Sequence, residues 1–127
     1  MKNFYDSVSE NCSKIVTHSY STSFSLATKM LDSSIRNHIY NIYGFVRFDD
    51  EIVDTFHDYP KKELLDRFEE DLFYSINNKI SLNPILNSFQ KTVNIFEIDH
   101  KLIKAFLKSM RWDLNKNIYK TDKEYKE

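Results

Sequence analysis

Four acidic residues lie close together near the middle of the chain: Asp49, Asp50, Glu51 and Asp54. In a helix, residues three and four positions apart share a face, so Arg47 lies on the face of Asp50 and Asp54. Carboxylates on one face repel one another, and their pKa values rise if they are buried without compensation. Mg²⁺ removes that penalty, because one or two carboxylates bind it together with phosphate oxygens and water. The spacing therefore indicates a magnesium site at Asp50 and Asp54, supported by Glu51, with an ordinary solvated helix face as the alternative.

One long helix is expected to carry these acids, from Ser33 to His57, with Asp32 or Ser33 as its N-cap. Its apolar stripe at helical spacing consists of Ile35, Ile39, Ile42, Val46 and Val53. Gly44 is the one glycine in the chain and lies in the middle of this helix. Glycine there costs up to about 1 kcal/mol relative to alanine. Either close helix packing or space beside a substrate explains it.

Apolar spacing predicts further helices over residues 4–18, 60–78, 82–96 and 99–117. Their core-facing residues are expected to be Phe4, Val8, Cys12 and Ile15, then Leu64, Leu65, Phe68, Leu72 and Ile76, then Ile85, Leu86, Phe89, Val93 and Phe96, and finally Leu102, Phe106, Leu107 and Met110. Pro60 is expected at the first helical position. Residues 18–31 are rich in serine and threonine, which is typical of a loop and an N-cap. Thr121 and Glu124 form a capping box, which predicts the start of a sixth helix.

The composition bounds the fold class. A chain of 127 residues suffices for one domain with one modest core. Its 41% hydrophobic and 15% aromatic residues are typical of a packed globular protein. One glycine and two prolines favour helices over sheets and tight turns. We therefore expect residues 1–127 to form a single all-α domain, and the net charge of −1 gives no support for a nucleic-acid partner.

Other features bear on the compartment. The lone Cys12 allows no intrachain disulfide, which fits a reducing environment. The N-terminal residues lack the apolar core of a signal peptide. No apolar run approaches the roughly 18 residues of a membrane-spanning helix. The expected location is the cytoplasm, with peripheral membrane contact if the products are lipids.

Two segments resemble a known family. The segment RFDDEIVD, with Arg47 three residues before Asp50, is similar to the first aspartate-rich motif of the squalene/phytoene synthase family, and its D-E-x-x-D pattern matches the phytoene synthase branch closely. The segment YSTSF at residues 20–24 resembles the S-x-S-F segment that faces the first diphosphate in that family. A third segment, RWDLNKNIY, contains Asp113 and Tyr119 and resembles a family segment that precedes the next core helix.

The resemblance implies an isoprenoid synthase-type helical bundle that binds a prenyl diphosphate with Mg²⁺. The implied metal ligands are Asp50, Glu51 and Asp54. The implied catalytic residues are Asp50, Asp54, Arg47 and Tyr43. The implied substrate-binding residues are Tyr20, Ser21, Ser23, Phe24 and Arg47, with hydroxyls that donate to phosphate oxygens and Phe24 as a wall of the prenyl channel. Phe106 and Met110 either join that wall or pack in the core. Asp113 either faces the substrate or pairs with a base such as Arg111.

The implied reaction joins two geranylgeranyl diphosphates head to head in carotenoid biosynthesis, without a nicotinamide reductant. A squalene or dehydrosqualene synthase-like enzyme that uses farnesyl diphosphate is the alternative. Family enzymes carry a second aspartate-rich motif, and no further D-x-x-x-D follows Asp54 here. We therefore expect an N-terminal portion of such an enzyme, truncated after about five helices. It would be inactive alone or would require a companion chain.

Two different readings remain. An incomplete bundle exposes apolar faces, which favour self-association or a companion chain, so a non-enzymatic interaction module or remnant is one alternative. A di-iron site is the other, since Asp54 and His57, and Glu97 and His100, have the acid-x-x-His spacing of di-iron bundles. Asp99 as an N-cap would break the helix between Glu97 and His100, which argues against that site.

Overall fold

The computed structural model describes the backbone of residues 1–126 and the side chains of residues 1–112 and 114. No strand occurs within the described backbone, which confirms the all-α prediction. The helices are α1 (Lys2–Tyr20), α2 (Thr22–Lys29), α3 (Ser33–Asp54), α4 (Lys61–Asn78), α5 (Pro84–Phe96) and α6 (His100–Lys126).

Helix α3 lies at the centre of the bundle, because it contacts each of the other five helices. Its buried side chains include Tyr40, Phe45 and Val53. The ring of Phe45 stacks on Phe68 of α4, at 5.6 Å between centroids, and on Phe89 of α5, at 4.0 Å. Aromatic rings bury large apolar areas and prefer such offset contacts. The main hydrophobic core therefore lies between α3 and the three helices that follow it.

The predicted apolar stripe of α3 is only partly correct. Val53 is buried, but Ile39, Ile42 and Val46 are half-buried and Ile35 is exposed. The fully buried residues are Tyr40, Asn41, Gly44, Phe45, Asp49, Ile52 and Val53. The buried face of α3 is rotated relative to the predicted apolar stripe. The reason is that α1 and α5 pack against a polar side of α3, through close backbone contact and hydrogen bonds.

Helix α3 begins where the sequence predicts and ends earlier. The Asp32 carboxylate accepts a hydrogen bond from the backbone N–H of Ser34, at 3.1 Å, so Asp32 is the N-cap. The last helical residue is Asp54 rather than His57.

Lys61 fastens the start of α4 to the end of α3. Its ammonium donates to the carbonyl of Val53, at 2.6 Å, and contacts His57 Nδ1, at 2.9 Å. The Val53 carbonyl is one of those that a helix leaves unpaired at its C-terminal end, and Lys61 satisfies it. Pro60 is the N-cap of α4 rather than its first helical residue.

In helix α1, the buried and exposed faces are the reverse of those predicted. The face predicted to be buried is exposed or half-buried: Phe4, Val8, Cys12 and Ile15. The side chains that are buried are Asp6, Ser9, Ser13 and Thr17. The apolar spacing of α1 therefore does not identify the side that packs on the bundle.

Hydrogen bonds explain why the polar face of α1 lies inside. The Asn87 side chain of α5 donates to the Asp6 carboxylate, at 2.9 Å, and to the Ser9 hydroxyl, at 3.1 Å. The hydroxyls of Ser13 and Ser88 lie 2.6 Å apart. Buried polar groups are tolerated when they are paired in this way. Because these side chains are small, α1 also approaches α3 and α5 closely.

Gly44 makes that approach possible. A Cβ atom added to Gly44 would lie 3.2 Å from the Ser13 Oγ and 3.4 Å from the Ser13 Cα. Real Cβ contacts are rarely this short. Of the two explanations for this glycine, the structure supports close helix packing.

The loop predicted for residues 18–31 is wrong over most of its length. Within this segment only Ser21, Met30 and Leu31 lie outside the helices. The Ser21 hydroxyl caps α2 by accepting from the Phe24 N–H, at 3.2 Å. The hydroxyls of Thr17 and Thr28 donate to carbonyls one turn earlier, at 2.9 and 2.7 Å. Since these bonds satisfy the polar side chains within a helix, serine and threonine do not force a loop here.

The faces predicted for α4 and α5 are confirmed apart from Leu64, which is half-buried, and Phe96, which is 56% exposed. In α6, Leu107 and Met110 are buried as predicted, but Leu102 is 67% exposed and Ile103 is buried in its place. The backbone of α6 is continuous to Lys126, so the separate sixth helix predicted at Thr121 is wrong. The side chains of Asp113, Tyr119, Thr121 and Glu124 lie outside the described residues.

Replacement of Gly44 by alanine tests the close contact. Overpacking a tight site costs about 1–3 kcal/mol, whereas the helix propensity gained is at most about 1 kcal/mol. We expect Gly44→Ala to lower the free energy of unfolding by about 1 kcal/mol, measured by urea denaturation. Asn37→Ala, at an exposed position of α3, is the control and should be neutral or slightly stabilising. An equal gain from both substitutions would show that α1 leaves room for a methyl group.

Candidate functional site

The two segments singled out by the sequence meet in space. The end of α1 and the start of α2 lie against the middle of α3. The guanidinium carbon of Arg47 lies 4.5 Å from the centroid of the Tyr20 ring, a cation–π contact. The rings of Phe24 and Tyr43 stack with their centroids 4.8 Å apart. Residues 20–24 and 43–54 thus contribute to one surface of the bundle.

Arg47 and Glu51 form an ion pair on this surface. Their side chains lie one turn apart on α3, and Arg47 Nη2 is 2.5 Å from Glu51 Oε1. The hydrogen bond to Glu51 raises the pKa of Arg47 above its usual value. The same bond lowers the pKa of Glu51, with smaller contributions from hydrogen bonds to Thr55 and Tyr20. Glu51, which was predicted to support the metal, is therefore already engaged within the protein.

Asp50 and Asp54 lie one turn apart along α3. Asp50 is half-buried and its charge contributes to the raised pKa of Arg47, whereas Asp54 is exposed at the end of the helix. The ammonium of Lys61 attracts Asp54, and this attraction opposes the burial that lowers the pKa of Lys61. Positive charges thus lie near both acids of the predicted magnesium site.

The two acids fit Mg²⁺ only together with other ligands. Among the described residues, no three His, Cys, Asp or Glu side chains are grouped so as to hold a metal ion. Mg²⁺ is commonly bound by one or two carboxylates plus phosphate oxygens and water. Asp50 and Asp54, half-buried and exposed respectively, match that kind of site, which a phosphate-bearing ligand would complete.

The predicted hydroxyl donors lie at the α1–α2 junction. Ser21 uses its oxygen to accept from the Phe24 N–H, which leaves its own hydrogen available to another acceptor. Ser23 is exposed and Tyr20 is 50% exposed. All three hydroxyls are therefore near the Arg47 surface or open to solvent.

His18 helps to hold α1, α2 and α3 together beside this surface, which the sequence did not predict. Its Nδ1 hydrogen-bonds to the Ser25 hydroxyl, which ties the last turn of α1 to α2. Its ring also contacts Tyr40 of α3, with centroids 5.8 Å apart. The spacing of seven residues between His18 and Ser25 carried no helical signal, because Ser21 interrupts the helix between them.

Asp49 is the second residue whose role was missed. It belongs to the run of acids in the sequence but is fully buried, about 100° around the helix from the half-buried Asp50. Neither carboxylate oxygen has a hydrogen-bond partner among the described residues. Burial raises the pKa of Asp49 to about 7, helped by Glu69 and Asp50 and opposed by Arg111. Its position four residues after Phe45 and three before Ile52 was the available signal that it lies in the core stripe.

Arg111 anchors α6 to α4 near Asp49. Its guanidinium donates to Glu69, at 2.8 and 2.9 Å, and to Asp66, at 2.5 Å. These partners account for the raised pKa of Arg111. Whether Arg111 also pairs with Asp113 lies outside the described residues.

The remaining candidates are placed as follows. Phe106 is half-buried with its ring centroid 5.8 Å from that of Phe45, and Met110 is buried, so both belong to the core.

Glu97 ends α5 in the left-handed conformation, with φ of 50°, and His100 begins α6. The helix break expected at Asp99 therefore separates the second acid-x-x-His pair, which is unlike a di-iron bundle. No described helix is both long and apolar enough to cross a membrane.

Comparison with known proteins agrees with the motifs. The family model described as squalene/phytoene synthase matches residues 17–127, which include both segments of the candidate site. The chain is also similar to phytoene synthase 1, chloroplastic, of Solanum lycopersicum, with 30% identity over 117 residues. That alignment covers 91% of this chain but only 27% of the relative, so the chain spans about a quarter of the relative's length. No solved structure matches the chain.

The buried carboxyl of Asp49 predicts a pH-dependent stability. Its folded-state pKa of about 7 exceeds the usual 3.8, so the unfolded chain releases this proton at a lower pH than the folded chain. Stability is therefore lost as pH rises from about 4 to about 7. We expect the free energy of unfolding to be about 2 kcal/mol lower at pH 8 than at pH 5 because of this group alone.

Asp49→Asn should remove that component when urea unfolding is measured at both pH values. Asp71→Asn, at an exposed position of α4, is the matched control and should retain the wild-type pH dependence. Parallel pH profiles for wild type and Asp49→Asn would contradict the prediction.

Proposed function

The chain belongs to the squalene/phytoene synthase family, and we propose that it binds a prenyl diphosphate with Mg²⁺ between α3 and the α1–α2 junction. One observation carries the proposal: Arg47, next to Asp50 on α3, lies against Tyr20, one residue before the cap Ser21. The groups to which we assign metal and phosphate binding are thus adjacent although they come from separate segments. This arrangement suits a ligand that carries a diphosphate and a bound divalent cation.

Each group has a distinct part in the proposal. Asp50 and Asp54 would hold Mg²⁺, which would supply positive charge against the leaving diphosphate. Arg47 contributes a planar set of donors that matches phosphate oxygens. The hydroxyls of Ser21 and Ser23 donate without adding charge.

The stacked rings of Phe24 and Tyr43 supply the apolar part of the site. They lie one helical turn along α3 from Arg47, where the prenyl chain would leave the diphosphate. Aromatic faces are compatible with an allylic cation, because the electron-rich ring attracts positive charge. We assign these two rings to the wall of the prenyl channel.

For the full reaction we propose the head-to-head joining of two geranylgeranyl diphosphates. Similarity to the tomato phytoene synthase and the D-E-x-x-D pattern support this choice. A farnesyl diphosphate-dependent squalene or dehydrosqualene synthase is the alternative. Displacement of bound magnesium pyrophosphate by geranylgeranyl diphosphate and by farnesyl diphosphate would show which of the two binds more tightly.

Binding and turnover are separate proposals for this chain. Family enzymes are expected to use a second acidic helix, and no further D-x-x-x-D follows Asp54 in this sequence. We propose that the 127-residue chain binds the diphosphate but does not complete the reaction alone. Clear formation of phytoene from geranylgeranyl diphosphate and Mg²⁺ by the purified chain would overturn that second proposal.

A role in assembly is the second candidate, because large apolar side chains are exposed on α1 and just after α2. Phe4 is 69%, Ile15 63% and Met30 89% exposed. Such surfaces favour association with a second copy, a companion chain or a membrane surface. Sedimentation together with ligand binding separates the candidates: association without any binding of magnesium pyrophosphate would favour assembly over catalysis.

The magnesium site is tested with inorganic pyrophosphate as the probe. We expect wild type to bind it more tightly with Mg²⁺ than without, as measured by isothermal titration calorimetry. Asp50→Asn and Asp54→Asn should each weaken the Mg²⁺-dependent binding by about tenfold or more, because each removes a carboxylate ligand. Asp71→Asn should bind as wild type does. Equal binding by all four proteins would place the metal elsewhere.

A further inference from the structure

Glu51 is engaged by other side chains of the site. Its carboxylate accepts from Arg47 at 2.5 Å, and only 13% of its side chain is exposed. Hydrogen bonds to Thr55 and Tyr20 add to the forces that hold its pKa low. A carboxylate whose charge is compensated in this way gains less from a metal ion than the same carboxylate would without the bond.

Arg47 is held by the same contact. Its side chain is 28% exposed, its guanidinium lies over the Tyr20 ring, and it is bonded to Glu51. Donors that are occupied by one anion are not available to another. A diphosphate that accepts from Arg47 Nη2, the nitrogen bonded to Glu51, must therefore replace the Glu51 carboxylate as its partner.

We propose that Glu51 is the resting counter-ion of Arg47, which a diphosphate displaces on binding, and that it is a positioning residue rather than a metal ligand. This inference rests on the proposed function, because it assumes that Arg47 receives the diphosphate. Glu51 and Tyr20 keep the guanidinium in place before the ligand arrives, and Glu51 retains Thr55 and Tyr20 as partners afterwards.

The exchange favours ligands of high charge. Charge-assisted bonds from arginine to phosphate are commonly bidentate, and a diphosphate presents more negative charge than a single carboxylate. The Glu51 charge that is released then repels the bound diphosphate unless a cation lies nearby. Glu51 consequently lowers the affinity for metal-free diphosphate more than the affinity for its magnesium complex.

The test uses the full chain, inorganic pyrophosphate and MgCl₂, with affinities from isothermal titration calorimetry. Glu51→Gln keeps the size of the side chain and removes its charge. We expect it to raise the affinity for metal-free pyrophosphate about tenfold and to leave the affinity for Mg²⁺ alone within about twofold of wild type. If Glu51 is a metal ligand, the affinity for Mg²⁺ falls and that for pyrophosphate with Mg²⁺ falls with it, which would overturn the inference.

The matched control is Glu63→Gln. Glu63 pairs with Arg67 one turn away on α4, as Glu51 does with Arg47, but both side chains are mostly exposed and the atoms are 3.6 Å apart. This variant should change neither affinity. A gain equal to that of Glu51→Gln would show that net charge alone explains the effect and would count against the inference.

A double substitution separates displacement from simple repulsion. In an Arg47→Gln background, Glu51→Gln should raise pyrophosphate affinity by less than about threefold, since there is no guanidinium left to release. An undiminished tenfold gain would contradict the proposed competition for Arg47. Circular dichroism checks that each variant keeps its helices.

Glu51→Asp provides a second route if the amide variant does not fold. It keeps the charge but shortens the side chain by one methylene, so the bond to Arg47 weakens and metal-free pyrophosphate affinity should rise about threefold. Unchanged affinity would count against the inference. Absence of pyrophosphate binding by wild type, with and without Mg²⁺, would overturn the proposed function itself. Wild-type binding with a loss of Mg²⁺ affinity in Glu51→Gln overturns only the role of Glu51.

Discussion

The close contact between α1 and α3 at Gly44 positions the helices that form the candidate site. Because Ser13 lies against Gly44, the last turn of α1 reaches the level of Arg47 on α3. The chain then reverses at Ser21, and α2 returns along α3 so that Phe24 stacks on Tyr43. A larger residue at position 44 would press on Ser13 and disturb the packing of α1 against α3. This packing glycine therefore also bears on the geometry of the candidate site.

Sequence periodicity was most successful where the core is apolar on both sides of a contact. In α4 and α5, Leu65, Phe68, Leu86 and Phe89 are buried as predicted. It failed for α1, where the buried side is polar and small, because hydrogen bonds from α5 replace apolar contacts. No count of apolar residues in α1 alone reveals those partners. They become visible only when α5 is placed beside α1.

The acid run illustrates the same limit at the level of single residues. Neighbouring positions on a helix differ by about 100° in direction, so Asp49 and Asp50 belong to different surfaces. The sequence predicted correctly that Arg47 and Asp50 lie together, since spacing along one helix fixes that relation. It did not predict that Asp49 is buried near Glu69 and Arg111, because this depends on where α4 and α6 pack. Nor could spacing along α3 tell that Glu51 also bonds to Tyr20, which belongs to α1.

The charges around the site explain why a cation would be needed for binding. Three carboxylates on this surface, Asp50, Glu51 and Asp54, are balanced by two cationic groups, Arg47 and Lys61. The resting surface is thus close to neutral and slightly negative, which limits repulsion within α3. A diphosphate adds several negative charges to a surface that has no surplus positive charge to offer. Mg²⁺ bound by Asp50 and Asp54 would reverse that balance, and the exchange of Arg47 from Glu51 to phosphate would then become favourable.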